Sequence, residues 1–382
     1  MVLGTVEGWG TTVLDDDRLL AIDLFSGAGG LSEGLRLAGF DICLAVESEL
    51  DPYLIYTGNN RRTPVFWKPI QEVKRFKPIL HRMGYERADI ALVAGGPPCQ
   101  GFSMANTRTR GMANGHSKLV NEFVRVVEEI KPPAFLMENV MGILGMEGGE
   151  FVPNLLRKFE SLGYEVSEWR LDAAEYGVPQ RRRRVFLVGS QTGKIEEPKP
   201  THGPRGTKPL VTVRDAIVGD LPQLENTTGS REAKYSCGPT TAFQKWLRKE
   251  CWTLYDHVTT ECGDDVVKRF DLIGQGENLH KLMEAGRIPD DLKITIDHSS
   301  VYRRLRLEQP AVTIVNIRKS MLIHPVENRL LSLREAARLQ SFQDRYRFDG
   351  RIGGMQQLIG DSVPPLLGKA VAAKVKRTLR QS

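Results

Sequence analysis

One cysteine lies in sequence surroundings that suit a nucleophile. Cys99 follows two glycines and two prolines in the segment GGPPCQ at 95–100, just after an apolar run. Prolines stiffen a loop and remove backbone donors, so this segment is poor material for a hydrophobic core. The thiolate is the reactive form of cysteine, and a nearby cation lowers the pKa of a thiol; Arg182 and Arg184 are candidates to supply that charge. The pattern favours a nucleophile over the alternative of a small buried hydrophobe.

An acid and an amide follow a later apolar run. Glu138 and Asn139 lie in the tetrapeptide MENV at 137–140. A carboxyl group at the end of a strand can serve as a positioned proton donor. The alternative is a structural role in which Glu138 or Asn139 caps a helix. The sequence therefore offers Glu138 as an acid–base candidate to accompany Cys99.

A glycine cluster and a later acid indicate a nucleotide-like ligand. Residues 26–30 read SGAGG, and Glu47 lies twenty residues after Gly27. Glycines let a backbone approach a ligand closely, and an acid at this spacing binds ribose hydroxyls in nucleotide-binding folds. Ser32 stands where the third glycine of a dinucleotide fingerprint falls, and the sequence has no G-x-x-x-x-G-K-[ST] phosphate loop. Together, the glycine cluster and Glu47 favour an adenosine-containing cofactor. The alternatives are that the glycines form only a tight turn and that Glu47 is a solvated residue at a strand end.

A run of basic residues leads directly into another apolar stretch, in the sequence QRRRRVFLVG. In an extended segment, alternate side chains share a face. We therefore expect Gln180, Arg182 and Arg184 to point one way, and Arg181 and Arg183 the other. Because the run abuts a strand, a role facing the site is favoured over a solvated basic patch.

The elements that must position these residues alternate between strands and helices. Such alternation is typical of a parallel sheet covered on both faces, so we expect an α/β fold with a doubly wound, mostly parallel sheet. In such sheets ligands bind outside the carboxyl ends of the strands, where the glycines, acids and thiol are expected to meet. The predicted strands are 19–25, 41–46, 89–94, 135–137, 165–171 and 185–188, and the predicted helices are 31–38 and 123–130.

The amino-acid composition and the periodicity of the sequence change at about residue 191. Residues 191–310 are rich in proline, glycine, threonine and lysine and show weak periodicity, which is typical of a smaller, irregular domain. We expect a catalytic and cofactor-binding domain at 1–190, completed by 345–382. Residues 191–344 would then form a small target-recognition domain and hinge.

Regular patterns return after Pro310. Residues 311–315 are predicted to form a strand. Ser332 is predicted to begin a helix, with Glu335 at the capping-box spacing. A last helix is predicted at 364–379, with proline in its first turn.

The composition of the chain indicates the kind of partner it binds and the cellular compartment in which it works. The formal net charge of +6 suits a polyanionic partner such as a nucleic acid. Five scattered cysteines without a C-x-x-C pair argue against a disulfide framework and a structural zinc site, and fit a reducing cytosol. The sequence has no apolar run of membrane-spanning length and no signal peptide pattern. We therefore expect a cytoplasmic protein that does not enter a membrane.

Six motifs, taken in order, resemble those of the cytosine-5 DNA methyltransferase family. They span nearly the whole chain outside 191–310, and GGPPCQGFS together with ENV is the most specific combination. The motifs are DLFSGAGGLSEGL at 23–35, GGPPCQGFS at 95–103, MENV at 137–140, YGVPQRRRRVFLVG at 176–189, LREAARLQSF at 333–342 and IGDSVPPLL at 359–367.

The resemblance implies an activity and a mechanism. The enzyme would transfer the methyl group of S-adenosyl-L-methionine to C5 of a cytosine flipped out of a specific double-stranded DNA sequence. Cys99 would form a covalent bond to C6, Glu138 would hold or protonate N3, and Arg184 would steady O2. The resemblance further implies a bacterial enzyme that acts on nucleoid DNA, as a monomer and without a metal, either paired with a restriction endonuclease or solitary.

The same resemblance assigns site residues in three groups. The catalytic group is Cys99, Glu138, Arg182 and Arg184. The cofactor-binding group is Phe25, Gly27, Ala28, Gly29, Gly30, Glu47, Pro97, Leu119, Asp361 and Val363. The DNA-binding group is Gln100, Ser103, Arg108, Lys118, Asn139 and Gln180.

Three positions depart from the family pattern. The loop after Cys99 often carries an Asp-x-Arg pair in the family, whereas this sequence reads Asn114-Gly115-His116-Ser117-Lys118, so Lys118 or Arg108 would supply the phosphate contact instead. The family usually has an acid followed by isoleucine near the adenine ring, whereas this sequence reads Trp67-Lys68-Pro69-Ile70, so the adenine contact stays unassigned. Asp361 replaces the commoner asparagine; it can accept a hydrogen bond but cannot donate one when ionised.

Two rival functions are considered. A branch of the same family methylates transfer RNA and carries a Cys-Phe-Thr signature, to which CWTLY at 251–255 bears a partial likeness. An inactive DNA-binding protein is the other rival. Loss of Cys99 or Glu138 would have signalled it, and both residues are present.

Overall fold

The centre of the protein is a twisted sheet that gathers the predicted strands. The computed structural model describes residues 19–98, 113–295 and 301–381. Within them, seven strands form one sheet in the order β3-β2-β1-β4-β5-β7-β6. The strands β3, β2, β1, β4 and β5 are parallel to one another, whereas β7 is antiparallel to both β5 and β6. The strands are β1 (Leu19–Leu24), β2 (Phe40–Glu47), β3 (Val65–Trp67), β4 (Ile90–Gly95), β5 (Ala134–Val140), β6 (Glu165–Asp172) and β7 (Arg183–Ser190).

Helices cover both faces of this sheet, which confirms the doubly wound α/β prediction. Successive residues of β5 serve opposite faces: Phe135 joins the apolar cluster under α4 and α5, whereas Leu136 joins the cluster under α1 and α12. On the first face the Phe135 ring stacks on Phe159 of α5 at 4.0 Å. The helices are α1 (Gly30–Leu37), α2 (Leu50–Asn59), α3 (Lys77–Arg82), α4 (Ala113–Ile130), α5 (Phe151–Ser161) and α12 (Pro365–Leu379).

Most members of a third apolar cluster come from residues beyond β7, which form short helices and strands. Nothing in the described ranges has a helix both long and apolar enough for a membrane span. The helices are α6 (Val213–Ile217), α7 (Ala242–Leu247), α8 (Asp264–Leu272), α9 (Leu279–Glu284), α10 (Leu333–Leu339) and α11 (Ile352–Asp361). The strands are β8 (Gly229–Ala233), β9 (Leu254–Val258), β10 (Arg303–Arg304) and β11 (Leu322–Ile323).

The helix α10 is the ionic centre of that cluster. It begins with the predicted capping box, in which Ser332 and Glu335 exchange backbone and side-chain hydrogen bonds. The fully buried guanidinium of Arg338 lies 2.7 Å from a carboxylate oxygen of Asp220 and 2.6 Å from one of Asp344. A buried guanidinium needs such paired acceptors because an uncompensated charge there is costly. The ion pairs therefore fix α10 against the chain on both sides of it.

One strand prediction is wrong, and one strand of the structure was not predicted. Residues 311–315 do not form a strand; a single bridge joins Ala311 to Gln180. The side chains of Gln180 and Arg182 bind the amide and the carbonyl of Ile314, so side chains satisfy backbone groups that a strand partner would otherwise take. The strand β3 was not predicted, because three residues are too few to show a period.

Candidate functional site

The candidate site lies at the carboxyl ends of four neighbouring strands, β2, β1, β4 and β5. After β1 the backbone turns sharply: Phe25, Gly27 and Gly29 have φ values of 57°, 54° and 83°. The left-handed region costs little for glycine but strains phenylalanine. A Cβ atom on Gly30 would come within 2.2 Å of the carbonyl oxygen of Val363. The first turn of α1 therefore packs directly against the segment that precedes α12, which requires glycine here.

Glu47 holds this turn in place. One carboxylate oxygen accepts the Gly27 amide at 2.8 Å, and the other accepts the amides of Ser48 and Glu49 at 2.8 and 2.9 Å. Burial raises the pKa of Glu47, and the three amides act against that rise. The acid twenty residues after Gly27 thus lies beside the glycine turn, as the sequence predicted.

The turn leaves room for a ligand. Among the described residues, no heavy atom beyond Gly27 and its two chain neighbours lies within 4 Å of the position that a Cβ on Gly27 would occupy. Next to it, the buried hydroxyl of Ser26 has no hydrogen-bond partner among the described residues. An open cradle with an unpaired hydroxyl and a fixed carboxylate fits the polar sugar of an adenosine-containing cofactor.

A buried polar chain supports the turn from below. Asp23, fully buried within β1, accepts the Ser32 hydroxyl at 2.5 Å, and Ser32 lies 2.7 Å from the Tyr56 hydroxyl. Burial raises the pKa of Asp23 to about 7, although the Ser32 hydrogen bond and the charge of Arg36 act against the rise. Ser32, which stands in place of the third glycine of a dinucleotide fingerprint, therefore links Asp23 to Tyr56 beneath the turn. The signal that sequence analysis missed is the single acid inside the apolar run LLAIDL.

Glu138 and Arg184 form the charged pair of the site. Val140 of β5 is paired with Arg184 of β7, so Glu138 is the diagonal neighbour of Arg184 on one face of the sheet. Arg184 Nε lies 2.9 Å from Glu138 Oε1. Glu138 is only 8% exposed, and this burial raises the pKa of its carboxyl group. The positive charges of Arg184 and Arg182 oppose the rise. The pair can hold a carboxyl that exchanges a proton with a substrate nitrogen.

The same strand end fixes the segment that leads to the predicted nucleophile. The Asn139 side-chain amide donates to the carbonyl of Pro97 at 3.0 Å. A Cβ on Gly96 would lie 2.9 Å from Glu138 Oε2, so any side chain here would displace the carboxylate from its present position. Pro98 is the last described residue of this segment. The predicted site residues Cys99, Gln100, Ser103 and Arg108 lie outside the described residues.

The basic run alternates as predicted. Gln180 and Arg182 are buried and Arg184 is nearly so, whereas Arg181 and Arg183 are exposed.

The two buried members bind backbone. Arg182 donates to the carbonyls of Ile314 and Gly360 at 2.9 and 2.6 Å. Gln180 binds the amide of Ile314 and the carbonyl of Leu339. These contacts join the residues just before β7 to the end of α10 and to the segments on either side of it. Their catalytic and DNA-binding roles stay predictions, and their contacts in the structure are positional.

The remaining predicted site residues lie around the same rim or on α4. Ala28 is buried and its carbonyl accepts the Tyr346 hydroxyl at 2.6 Å. Val363 is buried, and both carboxylate oxygens of Asp361 accept the Gln357 amide at 3.0 Å. On α4, Lys118 is exposed and Leu119 is half-buried.

The mostly parallel seven-stranded sheet is a methyltransferase fold, and the sequence comparisons name the family. The family model of C-5 cytosine-specific DNA methylases matches residues 19–377, and the chain belongs to this family. It is 33% identical to the Type II methyltransferase M.AgeI of Thalassovita gelatinovora, over 93% of this chain and 98% of that protein. It is 31% identical to the Type II methyltransferase M.DdeI of Desulfomicrobium norvegicum, over 93% of this chain and 88% of that protein.

Solved structures agree with this assignment. A DNA modification methyltransferase encoded within an E. coli prophage superposes with a TM-score of 0.77 at 26% identity, covering 95% of this chain and 99% of that one. The Dnmt2 methyltransferase of S. pombe superposes with a TM-score of 0.54 at 16% identity, over 95% and 99% of the two chains, which shows a shared fold alone.

Proposed function

We propose that this protein transfers a methyl group from S-adenosyl-L-methionine to C5 of cytosine within a specific double-stranded DNA sequence. The observation that carries the proposal is the buried Glu138–Arg184 pair beside the Gly96–Pro98 backbone, which leads to Cys99. Membership in the C-5 cytosine-specific DNA methylase family supports the reaction class. The net charge of +6 suits a DNA partner.

The residues around the glycine turn fit the proposed cofactor. Glu47 and the Ser26 hydroxyl would bind the ribose, and the open space at Gly27 would admit it. When bound, S-adenosylmethionine supplies an electrophilic methyl group. Phe25, Gly30, Pro97 and Val363 would line the rest of the cofactor site.

The protein side chains make the cytosine a nucleophile. The Cys99 thiolate adds to C6, and the electrons of the C5–C6 double bond move towards C5. Glu138, whose pKa is raised by burial, holds or protonates N3 and so stabilises the charge that enters the ring. Arg184 adds positive charge at O2 and keeps Glu138 in place. Once C5 carries the methyl group, loss of the C5 proton and departure of the Cys99 thiolate restore the double bond.

We further infer a biological setting. The relatives M.AgeI and M.DdeI are Type II methyltransferases, so a role beside a restriction endonuclease, or as a solitary methylase, fits this chain. We expect a monomer that works on DNA in the bacterial cytoplasm. A specific target sequence would be read by the residues of 191–310.

One experiment tests the reaction. Labelled S-adenosylmethionine is incubated with the protein and either unmethylated genomic DNA or bulk transfer RNA, and the products are digested to nucleosides. 5-Methylcytosine in DNA alone is expected. Label in RNA alone would replace the proposal with the transfer-RNA alternative, and label in neither substrate would contradict it.

A second experiment tests the covalent step. DNA containing 5-fluorocytosine in the target is expected to trap the wild-type protein, because fluorine at C5 cannot leave as a proton does. The C99S variant is expected to bind the cofactor without forming an adduct or transferring methyl groups. Normal turnover by this variant would refute Cys99 as the nucleophile.

A further inference from the structure

A half-exposed tryptophan lies beside the predicted ribose-binding acid. Trp67 ends β3 and is paired in register with Glu47 at the end of β2. Side chains of paired residues in a parallel ladder extend from the same face of the sheet. The indole and the carboxylate are therefore neighbours at one rim, and 49% of the Trp67 surface is exposed.

Two contacts orient the Trp67 ring despite this exposure. Its indole nitrogen donates to the carbonyl of Ser48 at 3.1 Å. The Tyr53 ring of α2 stacks against it, with centroids 5.1 Å apart and planes inclined by 17°. A single exposed apolar residue needs no explanation, but an indole fixed by two contacts next to a ligand-binding acid is a preformed aromatic surface. Leu50 of α2, also about half-exposed, widens the apolar surface at this end of the sheet.

We propose that Trp67 is the stacking platform for the adenine ring of the cofactor. The inference rests on the proposed use of S-adenosylmethionine. A ribose bound at Glu47 carries its base to the adjoining strand end, because the base is bonded directly to the sugar. Trp67 provides there a flat surface oriented by two contacts, and stacking on an aromatic side chain is tolerant of the details of the base.

The residues that follow Trp67 strengthen this assignment. Lys68 donates its backbone amide to the Glu47 carbonyl at 2.9 Å, so β3 stays against β2 up to this point. Pro69 comes next and has neither a carboxylate nor a backbone donor to offer the base. Trp67 therefore offers the base an aromatic surface at this strand end, where Pro69 offers no polar contact.

The test measures binding of S-adenosylhomocysteine, the reaction product, by calorimetry without DNA. The W67A variant is expected to weaken binding about tenfold or more, whereas W67F is expected to stay within about threefold of wild type, because a phenyl ring still stacks. The matched control is W252A, which removes an 84% exposed tryptophan from the loop between α7 and β9. It is expected to leave the dissociation constant unchanged.

Tryptophan fluorescence gives a second readout that a structural role would not move. Stacking of adenine on the Trp67 indole is expected to quench part of the wild-type emission, and this part is expected to disappear in W67F although W67F still binds. Equal affinity of W67A and wild type, or unchanged quenching in W67F, would overturn the inference while leaving cofactor use intact. If wild-type protein binds no S-adenosylhomocysteine at all, the proposed function itself fails and the inference fails with it.

Discussion

Arg184 Nε lies 2.9 Å from Glu138 Oε1, whereas Arg182, two residues earlier on the same face, donates to the carbonyls of Ile314 and Gly360. One arginine thus serves the site, and the other connects the sheet to the segments around α10. A single alternating basic run supplies both, because successive inward positions of a strand lie about 6.5 Å apart and reach different neighbours. The two positions should therefore respond differently to substitution.

Substitution of Glu138 by glutamine should impair chemistry far more than binding. Glutamine keeps the size of the side chain but cannot give a proton to N3, so methyl transfer should fall about 10²–10⁴-fold. Single-turnover transfer and DNA affinity are measured on the same preparation. Equal losses in both would point to a structural role for Glu138.

Substitution of Arg182 by methionine should mainly destabilise the fold. It leaves the buried carbonyl of Ile314 without its donor and that of Gly360 with only the 3.5 Å contact from the Gln340 amide. The free energy of unfolding should therefore fall by about 3 kcal/mol. Arg183 is the matched control, since it is exposed on the other face of the same strand, and its change to methionine should cost less than about 0.5 kcal/mol. Urea unfolding of the two variants decides the matter, and similar stabilities would contradict the positional role of Arg182.

Substitution of Arg184 by methionine should instead reduce activity more than stability. It leaves the Glu138 carboxyl buried without its cation, which should raise the pKa of Glu138 further and remove positive charge from the site. Methyl transfer should fall by at least about 10²-fold, with cofactor binding retained. Loss of S-adenosylhomocysteine binding in this variant would show that Arg184 supports the cofactor instead.

The sequence predicted those parts of the site that depend on short-range order. Apolar runs located β1, β2, β4 and β5, and the parallel arrangement brought Gly27, Glu47 and Glu138 to one rim without any knowledge of contacts. The alternation of residues 180–184 likewise followed from strand geometry alone. The Ser332–Glu335 capping box was predicted for the same reason, since it spans a single helical turn.

Contacts between distant segments could not be predicted in this way. Arg338 binds Asp220 across more than one hundred residues, and nothing local to either residue indicates the other. In the sequence, Trp67 lies in a segment that departs from the family's acid–isoleucine pattern. Only the pairing of β3 with β2 places it beside Glu47. The error at 311–315 has the same origin, because whether an apolar segment becomes a strand depends on a free strand edge elsewhere in the fold.

The amide of Asn139 offers a test of the segment before Cys99. An alanine at this position removes the hydrogen bond to the Pro97 carbonyl, and the backbone that leads to the nucleophile loses its anchor. Misplacement by even about 1 Å can cost about 10²-fold in rate, so the rate of adduct formation with 5-fluorocytosine DNA should fall steeply. Affinity for S-adenosylhomocysteine should change little. Adduct formation at the wild-type rate would show that the loop is positioned by other contacts.

Asp23 should make the stability of the protein depend on pH. Burial raises its pKa from 3.8 to about 7, so between these values the folded protein keeps a proton that the unfolded chain releases. The free energy of unfolding should therefore decrease as the pH rises through this window, by up to about 1.4 kcal/mol per pH unit from this group, and level off above it. The D23N variant cannot ionise and should lack this contribution, although asparagine can still bind the Ser32 hydroxyl. Urea unfolding of both proteins from pH 5 to pH 8 measures the difference: D23N should gain stability relative to wild type as the pH rises, and parallel curves would mean that Asp23 is charged in the folded protein throughout.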